Sequence, residues 1–547
     1  MRSSIRNPGS AIISKHVFRG GRVARTRLLT AIQQLYRKFE EAEISGTPDL
    51  PRRDFLKVSG TVAAATILGT KIGFAAPQNP HIVIIGGGIS GLHAALTLQD
   101  AGLSSTIYDA AHRIGGRIRS DTKSWRNNQV SEHYGELIDA SHKTILSLAK
   151  RFNIPTADVT RSEPPQSTET FHFFGKYYSP RAAGEEFKAV YAAVKKDLLA
   201  VGYPVLYNSF TSAASKLDNL SVYDWIETRI EGGHRSAIGQ LVDVACNLEF
   251  GAETKTQSAL NLIFIVGQTS SAGGVFGGGD RQFHLAGGNE RLPKAIAAAL
   301  PAGNIKMGTS LTSILRNSDG SYTLGLKRGG TAFVEHADRV ILALPFSVLR
   351  RLDYQAAGFN SVKRTAIQEL GYGTNSKLHL QFNRRLWNKP GPWGVSSGTS
   401  FSDRGYQGTW DVTRAQSGAT GILVNYTSGE TGASYKVNSG NPLIARTYAM
   451  QFLDKLEPVF PGISLQWNRR ASLDTPSQSP FFLGSYSYWK VGQYTSIAGA
   501  ERERSGNCHF AGEHCSIDFQ GLMEGAAQEG ARAASEIMAD YRNSAAR

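Results

Sequence analysis

The chain has 547 residues, of which 41% are hydrophobic and 19% charged, so it can bury large cores in two or more domains and is not a disordered protein. The formal net charge of +15 is concentrated at the start, because residues 1–75 carry 13 Lys and Arg against 5 Asp and Glu. The remainder is only mildly basic and has no Lys/Arg run interleaved with aromatic residues. Nucleic acid is therefore not an expected partner.

An export signal is predicted ahead of the folded part of the chain. Arg52 and Arg53 precede an apolar run from Val58 to Thr70, and this order resembles a twin-arginine signal. The run has about 13 uncharged residues, whereas a membrane-spanning helix needs roughly 20, so no stable membrane anchor is expected. The sequence therefore predicts the twin-arginine export machinery as a partner and a bacterial protein that is periplasmic or secreted.

Small residues at Ala75 and Ala76 are typical of a signal-peptidase site. Residues 1–76 are accordingly predicted to be an N-terminal extension and signal peptide. The stretch before the arginine pair is long for such a signal, and Leu28 to Glu43 within it looks amphipathic. The sequence leaves open whether this stretch is a genuine extension or follows from a misassigned start codon.

The three cysteines are Cys246, Cys508 and Cys515. They are odd in number and have no C-x-x-C spacing, which argues against a disulfide framework and against a metal site. We expect buried thiols and no bound metal.

The first motif with chemical meaning is a strand, a glycine-rich turn and a helix. His81 to Ile85 is a β-branched run and Leu92 to Ala101 has helical periodicity, with three spaced glycines between them. Such glycines allow a tight turn and a close approach to a pyrophosphate, whose charge the helix N-terminus favours. A second strand, Ser105 to Asp109, ends in a carboxylate suited to ribose hydroxyls. The segment predicts a dinucleotide site that includes Gly86, Gly88, Ile89, Ser90, Gly91 and Asp109.

An R-x-G-G-R pattern directly follows the acidic strand. It consists of Arg113, Gly115, Gly116 and Arg117. After a dinucleotide-binding fold, this pattern resembles the second signature of the flavin amine oxidase family. The resemblance implies that the cofactor is FAD and that these amides and arginines hold its pyrophosphate.

Further motifs of the same family follow in order, so the resemblance spans about Ile82 to Ile537. Phe510 to His514 and Gly521 to Ala526 resemble the family's closing motif. The resemblance implies that Gly512 and Glu513 meet the ribityl chain and pyrophosphate, and that a final helix near Met523 points its N-terminus at the flavin. It also implies that Leu311 packs beside the adenine.

Three residues are expected on the substrate side. Lys377 aligns with the family lysine that reaches flavin N5 through a water and eases reoxidation by oxygen. Tyr486 corresponds to one wall of the family's aromatic cage, whereas Leu522 replaces the tyrosine of the other wall, so a half-aromatic pocket is expected. Ser485 replaces the cysteine that covalent members attach to flavin, which implies non-covalent FAD.

The segment Tyr134 to Ile138 resembles the stretch beneath the flavin, and it supplies Gly135, Glu136 and Leu137. Glu136 is expected either to bond flavin or substrate or to pack near the ribityl chain. L-amino acid oxidases of this superfamily carry an arginine for the substrate carboxylate at the position of Leu137. Its absence favours an amine without an α-carboxylate, although Arg281 or Arg404 could substitute.

The resemblance implies an α/β fold in which a Rossmann-like FAD-binding domain is interleaved with an α+β substrate-binding domain of the amine oxidase type. The FAD domain is predicted to comprise residues 80–160, 287–350 and 495–543. The substrate domain is predicted to comprise residues 161–286 and 351–494. The oligomeric state stays open, with a homodimer as one option.

The expected activity is the two-electron oxidation of a C–N bond in a small-molecule amine. Hydride passes from the α carbon to flavin N5, water hydrolyses the imine to an aldehyde or ketone and ammonia or amine, and O2 regenerates FAD as hydrogen peroxide forms. Three alternatives stay open: an L-amino acid oxidase, an FAD-dependent desaturase or isomerase, and a non-catalytic flavoprotein. The sequence identifies neither the amine nor the electron acceptor in vivo.

Overall fold

The computed structural model describes residues 24–45, 80–267, 282–436 and 442–545. The predicted twin-arginine signal, with Arg52 and Arg53, lies outside the described residues, as does Arg281. The helices of the described ranges are α1 (Arg27–Ser45), α2 (Ile89–Asp100), α3 (Lys143–Arg151), α4 (Pro180–Val201), α5 (Ser212–Asp218), α6 (Val222–Arg229), α7 (Ala237–Phe250), α8 (Ala259–Gly267), α9 (Arg291–Ala299), α10 (Phe346–Leu349), α11 (Ser361–Glu369), α12 (Gly429–Ser434), α13 (Pro442–Leu456), α14 (Gln493–Ser496) and α15 (Met523–Ala545).

The strands lie in six sheets across these ranges. In the first half of the chain they are β1 (Ile82–Ile85), β2 (Ser105–Asp109), β3 (Ser120–Asp121), β4 (Ser131–Glu132), β5 (Ile138–Asp139), β6 (Thr156–Asp158), β7 (Thr168–Phe173), β8 (Lys176–Tyr178) and β9 (Gln282–Leu285). They continue as β10 (Ile305–Met307), β11 (Thr309–Arg316), β12 (Tyr322–Arg328), β13 (Thr331–Ala337), β14 (Arg339–Leu342), β15 (Gly371–Tyr372), β16 (Ser376–Phe382), β17 (Ser396–Ser402), β18 (Gly408–Asp411), β19 (Gly421–Thr427), β20 (Trp467–Asp474), β21 (Ser487–Tyr488) and β22 (Cys508–Phe510).

A five-stranded parallel sheet, in the order β10-β2-β1-β14-β22, forms the centre of the first domain. All four residues of β1 are buried, since apolar layers cover both faces of the sheet. Ile82 and Ile84 share a core with α2, α9 and α15, whereas Val83 and Ile85 face the core on the other side. The predicted strand-turn-helix is therefore confirmed, with α2 starting at Ile89 directly after Gly88.

A seven-stranded sheet, in the order β20-β16-β19-β18-β17-β7-β8, forms the second domain. Along β16, Leu378, Leu380 and Phe382 pack into one apolar core. Successive side chains of a strand point to opposite faces, so Lys377 and His379 project the other way, toward the first domain. This alternation places a buried lysine at the boundary between the two domains.

The two sheets draw their strands from separate segments of the chain. Every strand of the parallel sheet falls in a segment assigned to the FAD domain, and every strand of the seven-stranded sheet falls in a segment assigned to the substrate domain. The expected α/β fold with an interleaved α+β domain is confirmed. The individual domain boundaries stay predictions.

Helix α1 corrects the expectation that the folded protein starts near residue 80. Its residues Leu28, Leu29, Ile32 and Tyr36 are at most 2% exposed and belong to the core of the helical region. The Tyr36 ring lies 4.6 Å from the Tyr191 ring of α4. An amphipathic helix must bury its apolar face, and this one does so against the substrate domain.

Cys246, Cys508 and Cys515 are buried free thiols, as predicted. Within the described ranges, no helix is long and apolar enough to cross a membrane. The same ranges contain no group of three or more His, Cys, Asp or Glu side chains that could hold a metal ion.

The buried His142 gives a pH-dependent prediction. Burial lowers its pKa from 6.5 to about 3, so the histidine stays neutral in the folded protein. Unfolded chains take up the proton first, and this contribution to stability is therefore complete above about pH 6.5 and is lost as the pH falls. In His142→Asn, Oδ1 can still accept the Asp139 N–H that His142 Nδ1 accepts at 3.1 Å.

From pH 7 to pH 5, wild type should lose about 2 kcal/mol more unfolding free energy than His142→Asn. Denaturant unfolding of both proteins at the two pH values measures this difference. Equal losses in the two proteins would show that His142 is not the neutral buried group described here.

Candidate active site

A cavity of about 560 Å³ lies between the two domains. It is bounded by the turn after β1 and the start of α15 on one side, and by β16, β18 and β19 on the other. All the predicted site residues line it except Gly91. They include Gly86, Gly88, Ile89, Ser90, Asp109, Arg113, Gly115, Gly116, Arg117, Gly135, Glu136, Leu137, Leu311, Lys377, Tyr486, Gly512, Glu513, Leu522 and Met523. Motifs that lie far apart in the sequence therefore meet around one space.

Gly91 contributes through packing instead. A Cβ atom at this position would lie 2.0 Å from the carbonyl oxygen of Gly86. The bare glycine therefore lets α2 approach the turn that follows β1 and brings the helix N-terminus up to the cavity.

Asp109 holds the turn after β1. Its Oδ2 accepts the N–H of Gly87 at 2.6 Å, and its Oδ1 accepts the N–H of Ala111 at 2.7 Å. Burial raises the pKa of this carboxyl group. Each carboxylate oxygen has a further lone pair, so the expected ribose contact is compatible with these two bonds.

The two arginines of R-x-G-G-R are engaged with the protein. Arg113 Nη2 donates to the carbonyl of Gly116 at 2.8 Å, so its guanidinium supports the glycine turn. Arg117 Nη1 donates to the carbonyl of Ser485 at 2.6 Å and to Glu513 at 3.1 Å. Both residues also line the cavity, and their expected contact with the pyrophosphate stays a prediction.

Glu513 ties three parts of the site together. This buried carboxylate accepts the backbone N–H of Ser487 at 3.1 Å and of Gly521 at 2.9 Å, besides the contact with Arg117. Burial acts to raise its pKa, but the Arg117 charge and the hydrogen bonds outweigh burial, so the pKa lies below its usual range. An ionised Glu513 therefore fixes the strand after Ser485 against the turn before α15.

The wall of the cavity has buried polar atoms that suit a dinucleotide. Ser90 Oγ and both ring nitrogens of His514 are buried and have no hydrogen-bond partner among the described residues. Burial lowers the pKa of His514 to about 4, so its ring is neutral and has one N–H to donate. A Cβ on Gly116 would lie 3.2 Å from the Cα of Gly88, so the two glycine turns leave an open cradle. Polar groups of a bound cofactor can satisfy these atoms.

Lys377 and Glu136 form the central charged pair. Lys377 Nζ lies 2.6 Å from Glu136 Oε2 and also donates to the carbonyls of Glu132 and Tyr134, at 3.2 and 2.8 Å. Burial acts to raise the pKa of Glu136, but the charge of Lys377 outweighs it and holds the pKa below its usual range. Trp410 Nε1 donates to the second oxygen of Glu136 at 2.9 Å. The sequence left the partner of Glu136 open, and the structure pairs it with Lys377.

The substrate-side wall is more aromatic than Leu522 led us to expect. Tyr426 and Trp410 line the cavity together with Tyr486, and the rings of Trp410 and Tyr426 lie 5.1 Å apart. The hydroxyl groups of Tyr426 and Tyr486 are 3.0 Å apart, and Tyr486 donates to the carbonyl of Leu248. Burial raises the pKa of both tyrosines, which keeps their hydroxyls protonated.

Arg25 is a further site residue that sequence reasoning missed. It lies just before α1 and lines the cavity beside Tyr486. Arg404, one of the two arginines considered for a substrate carboxylate, is exposed and does not line the cavity. The amphipathic pattern of residues 28–43 was a usable signal for this helix, but it did not reveal where the helix packs.

Comparisons with known proteins agree with this geometry. The family described as flavin-containing amine oxidoreductase matches residues 89–538. The chain belongs to this family. An amine oxidase [flavin-containing] of Danio rerio is 24% identical over 84% of this chain and 85% of its own length. An L-amino-acid oxidase of Siganus canaliculatus is 23% identical over 84% of this chain and 85% of its own.

A solved structure resembles the fold. Cyclohexylamine oxidase from Brevibacterium oxydans IH-35A superposes with a TM-score of 0.72 at 19% identity, over 85% of this chain and 100% of that chain. As a member of the flavin-containing amine oxidoreductase family, this protein is an oxidoreductase, and the family implies a flavin cofactor.

Proposed function

We propose that this protein uses FAD to oxidise a C–N bond of a small-molecule amine, with O2 as the electron acceptor. One observation carries the proposal: the dinucleotide cradle and the Lys377–Glu136 pair open into the same cavity, opposite a wall of Tyr486, Tyr426 and Trp410. The cradle supports the cofactor, and the wall supports a substrate held in front of it.

The residues of this chain would act by positioning and electrostatics. When bound, FAD supplies the two-electron redox chemistry. Lys377 holds a fixed positive charge in a buried site, which favours negative charge that develops during reaction with oxygen. The aromatic wall excludes water and favours an unprotonated amine. Its tyrosine hydroxyls stay protonated and so add no charge to the wall.

The test is a peroxide assay with the purified flavoprotein. Amines and L-amino acids are compared, with anaerobic bleaching of the flavin as a second readout. We expect at least one compound to bleach the flavin and to yield hydrogen peroxide in air. A flavin that no such compound bleaches would overturn the proposal in favour of a desaturase, an isomerase or a non-catalytic flavoprotein. Bleaching without peroxide would show that the electron acceptor is a quinone or a protein and not O2.

Non-covalent FAD is a separate prediction. Ser485 has no thiol to attach to flavin, and its Oγ donates to Asn375 Oδ1 at 2.7 Å. Acid precipitation of the holoprotein should therefore release the yellow flavin into the supernatant, where chromatography identifies it as FAD. Flavin that stays with the precipitated protein would contradict this prediction.

Export through the twin-arginine machinery to the periplasm or medium is also proposed, on the sequence alone. Replacing both Arg52 and Arg53 by lysine should keep the protein in the cytoplasm, because this machinery reads the arginine pair. Fractionation followed by immunoblotting measures the change. The same replacement at Arg2 and Arg6 is the control, because it removes no residue of the motif. Normal export of the Arg52/Arg53 variant would remove the assignment.

A further inference from the structure

Arg25 occupies the substrate-side wall of the cavity. Its guanidinium carbon lies 4.6 Å from the centre of the Tyr486 ring, and a Cβ on Gly521 would lie 2.5 Å from that carbon. The guanidinium therefore sits between Tyr486 and the chain that leads into Leu522. These are the two positions where the family resemblance implies an aromatic cage, and here an arginine enters that region.

The protein holds this side chain in place. Nε donates to the carbonyl of Gln520 at 2.8 Å, and Nη1 donates to the carbonyl of Glu249 at 3.0 Å. A guanidinium has five N–H donors, so these two bonds orient the group and leave further donors for a bound molecule. Arg25 is thus a pre-positioned donor rather than a loose surface side chain.

The nearest carboxylate has another task. Glu249 is fully buried, and its two oxygens accept the backbone N–H groups of Arg25 and Thr26 at 2.7 and 2.9 Å. Its shortest contact with the guanidinium, to Nε, is 3.8 Å. Glu249 therefore mainly fixes the chain at the start of α1. It partly balances the charge of Arg25 but does not form a bidentate pair with it.

A fixed cation in a buried cavity selects between substrate charges. It repels an ammonium group and attracts a carboxylate, and the planar guanidinium fork matches a carboxylate in particular. The other cation on this side, Lys377, is already paired with Glu136 at 2.6 Å. The lack of an arginine near Leu137 favoured a substrate without a carboxylate. Arg25 supplies an arginine from another part of the chain, so that lack no longer argues against a carboxylate.

We propose that Arg25 is a specificity-determining residue that binds the carboxylate of an amino-acid substrate. This inference rests on the proposed C–N oxidation and narrows it to amines that carry a carboxylate. Arg25 lies ahead of the predicted export motif at Arg52 and Arg53. The segment that carries it is therefore part of the working enzyme.

A binding experiment tests this without turnover. Benzoate and benzylamine are titrated into the holoenzyme, and their dissociation constants are read from changes in the visible flavin spectrum. Arg25→Gln should lower the affinity for benzoate by about 100-fold and should leave the affinity for benzylamine unchanged or higher. Arg25→Lys keeps the charge but loses the planar guanidinium group, so it should lower the affinity for benzoate by roughly 10-fold. This variant keeps the test decisive if Arg25→Gln does not fold.

Arg27→Gln is the matched control. Arg27 is the first residue of α1, two positions after Arg25, but it bonds Glu163 and Thr399 and does not line the cavity. If Arg25→Gln acted only by loosening α1, Arg27→Gln should weaken the binding of both benzoate and benzylamine. If Arg25 binds the carboxylate, Arg27→Gln should bind both ligands as wild type does. Benzoate that fails to bind wild type, or that binds Arg25→Gln as tightly as wild type, would overturn the proposal.

Turnover separates this inference from the proposed function. L-phenylalanine and phenethylamine differ only by the carboxylate, and Arg25→Gln should lower kcat/KM for the amino acid by about 100-fold, mainly through KM. The value for the amine should not fall. Equal losses for both substrates would overturn the role of Arg25. If no amine or L-amino acid bleaches the flavin of wild type, C–N oxidation is overturned, while the benzoate result still decides the role of Arg25.

Discussion

Lys377→Met should slow the reaction of the reduced enzyme with O2 by ~10 to 1000-fold, the range for losing one electrostatic stabiliser. The substitution removes the buried charge that faces the cavity but keeps an unbranched side chain of similar length. Reduction by substrate under anaerobic conditions should persist, because the aromatic wall is unchanged. Stopped-flow absorbance measures the two half-reactions separately. Reoxidation at the wild-type rate would show that Lys377 has no part in the oxygen reaction.

The structure adds a condition to this experiment. Lys377→Met leaves the carboxylate of Glu136 buried without its cation, which typically costs about 3–5 kcal/mol of stability. The double variant Lys377→Met, Glu136→Gln removes both charges, so it should regain stability and still react slowly with O2. Lys363→Met is the control for losing a buried lysine, since Lys363 donates to the carbonyl of Glu501 and does not line the cavity. It should lower stability but leave reoxidation unchanged.

Gly91→Ala should lower the affinity for FAD by at least about 100-fold. The new Cβ would lie 2.0 Å from the carbonyl oxygen of Gly86 and 3.1 Å from Cγ2 of Ile84. Because the first of these atoms belongs to the backbone, α2 must move away from β1, and the amides at its N-terminus move out of the cradle. The ratio of flavin to protein absorbance in the purified variant measures the loss.

Gly184→Ala is the matched control for this variant. Gly184 lies inside α4, where a new Cβ would meet only Leu35 Cδ2, at 3.7 Å. Alanine favours a helix over glycine by roughly 1 kcal/mol, so flavin content should stay full and stability should rise slightly. Full flavin content in Gly91→Ala would contradict the packing described for α2.

The parts of the fold that the sequence predicted are those with local signals. The β-branched run of β1, the glycines after it and Asp109 lie within 30 residues, and each has a local backbone or chemical requirement. Lys377 was expected near the flavin from its alignment with the family lysine, and it lines the cavity because the alternation along β16 turns it away from the apolar core. These features depend little on distant contacts.

What the sequence could not predict depends on long-range contacts. The pairing of Lys377 with Glu136 joins residues 241 positions apart, and the contact of Arg25 with Glu249 spans 224. In addition, Arg25 lies in a basic stretch that precedes the predicted export signal. Its charge was therefore assigned to the N-terminal extension and not to the site. Tyr426 and Trp410 reach the wall through the pairing of β19 with β18 and β16, which no local pattern specifies.

Helix α1 changes what cleavage of this chain would produce. Residues 46–79 join it to the first strand, and they include the predicted peptidase site. A cut there would turn α1 into a separate peptide, held by its buried apolar face and by Glu249 but no longer tethered. Its occupancy would then follow mass action, so that dilution would strip the peptide, and Arg25 with it, from the enzyme. Peptide added back in trans would restore the carboxylate contact.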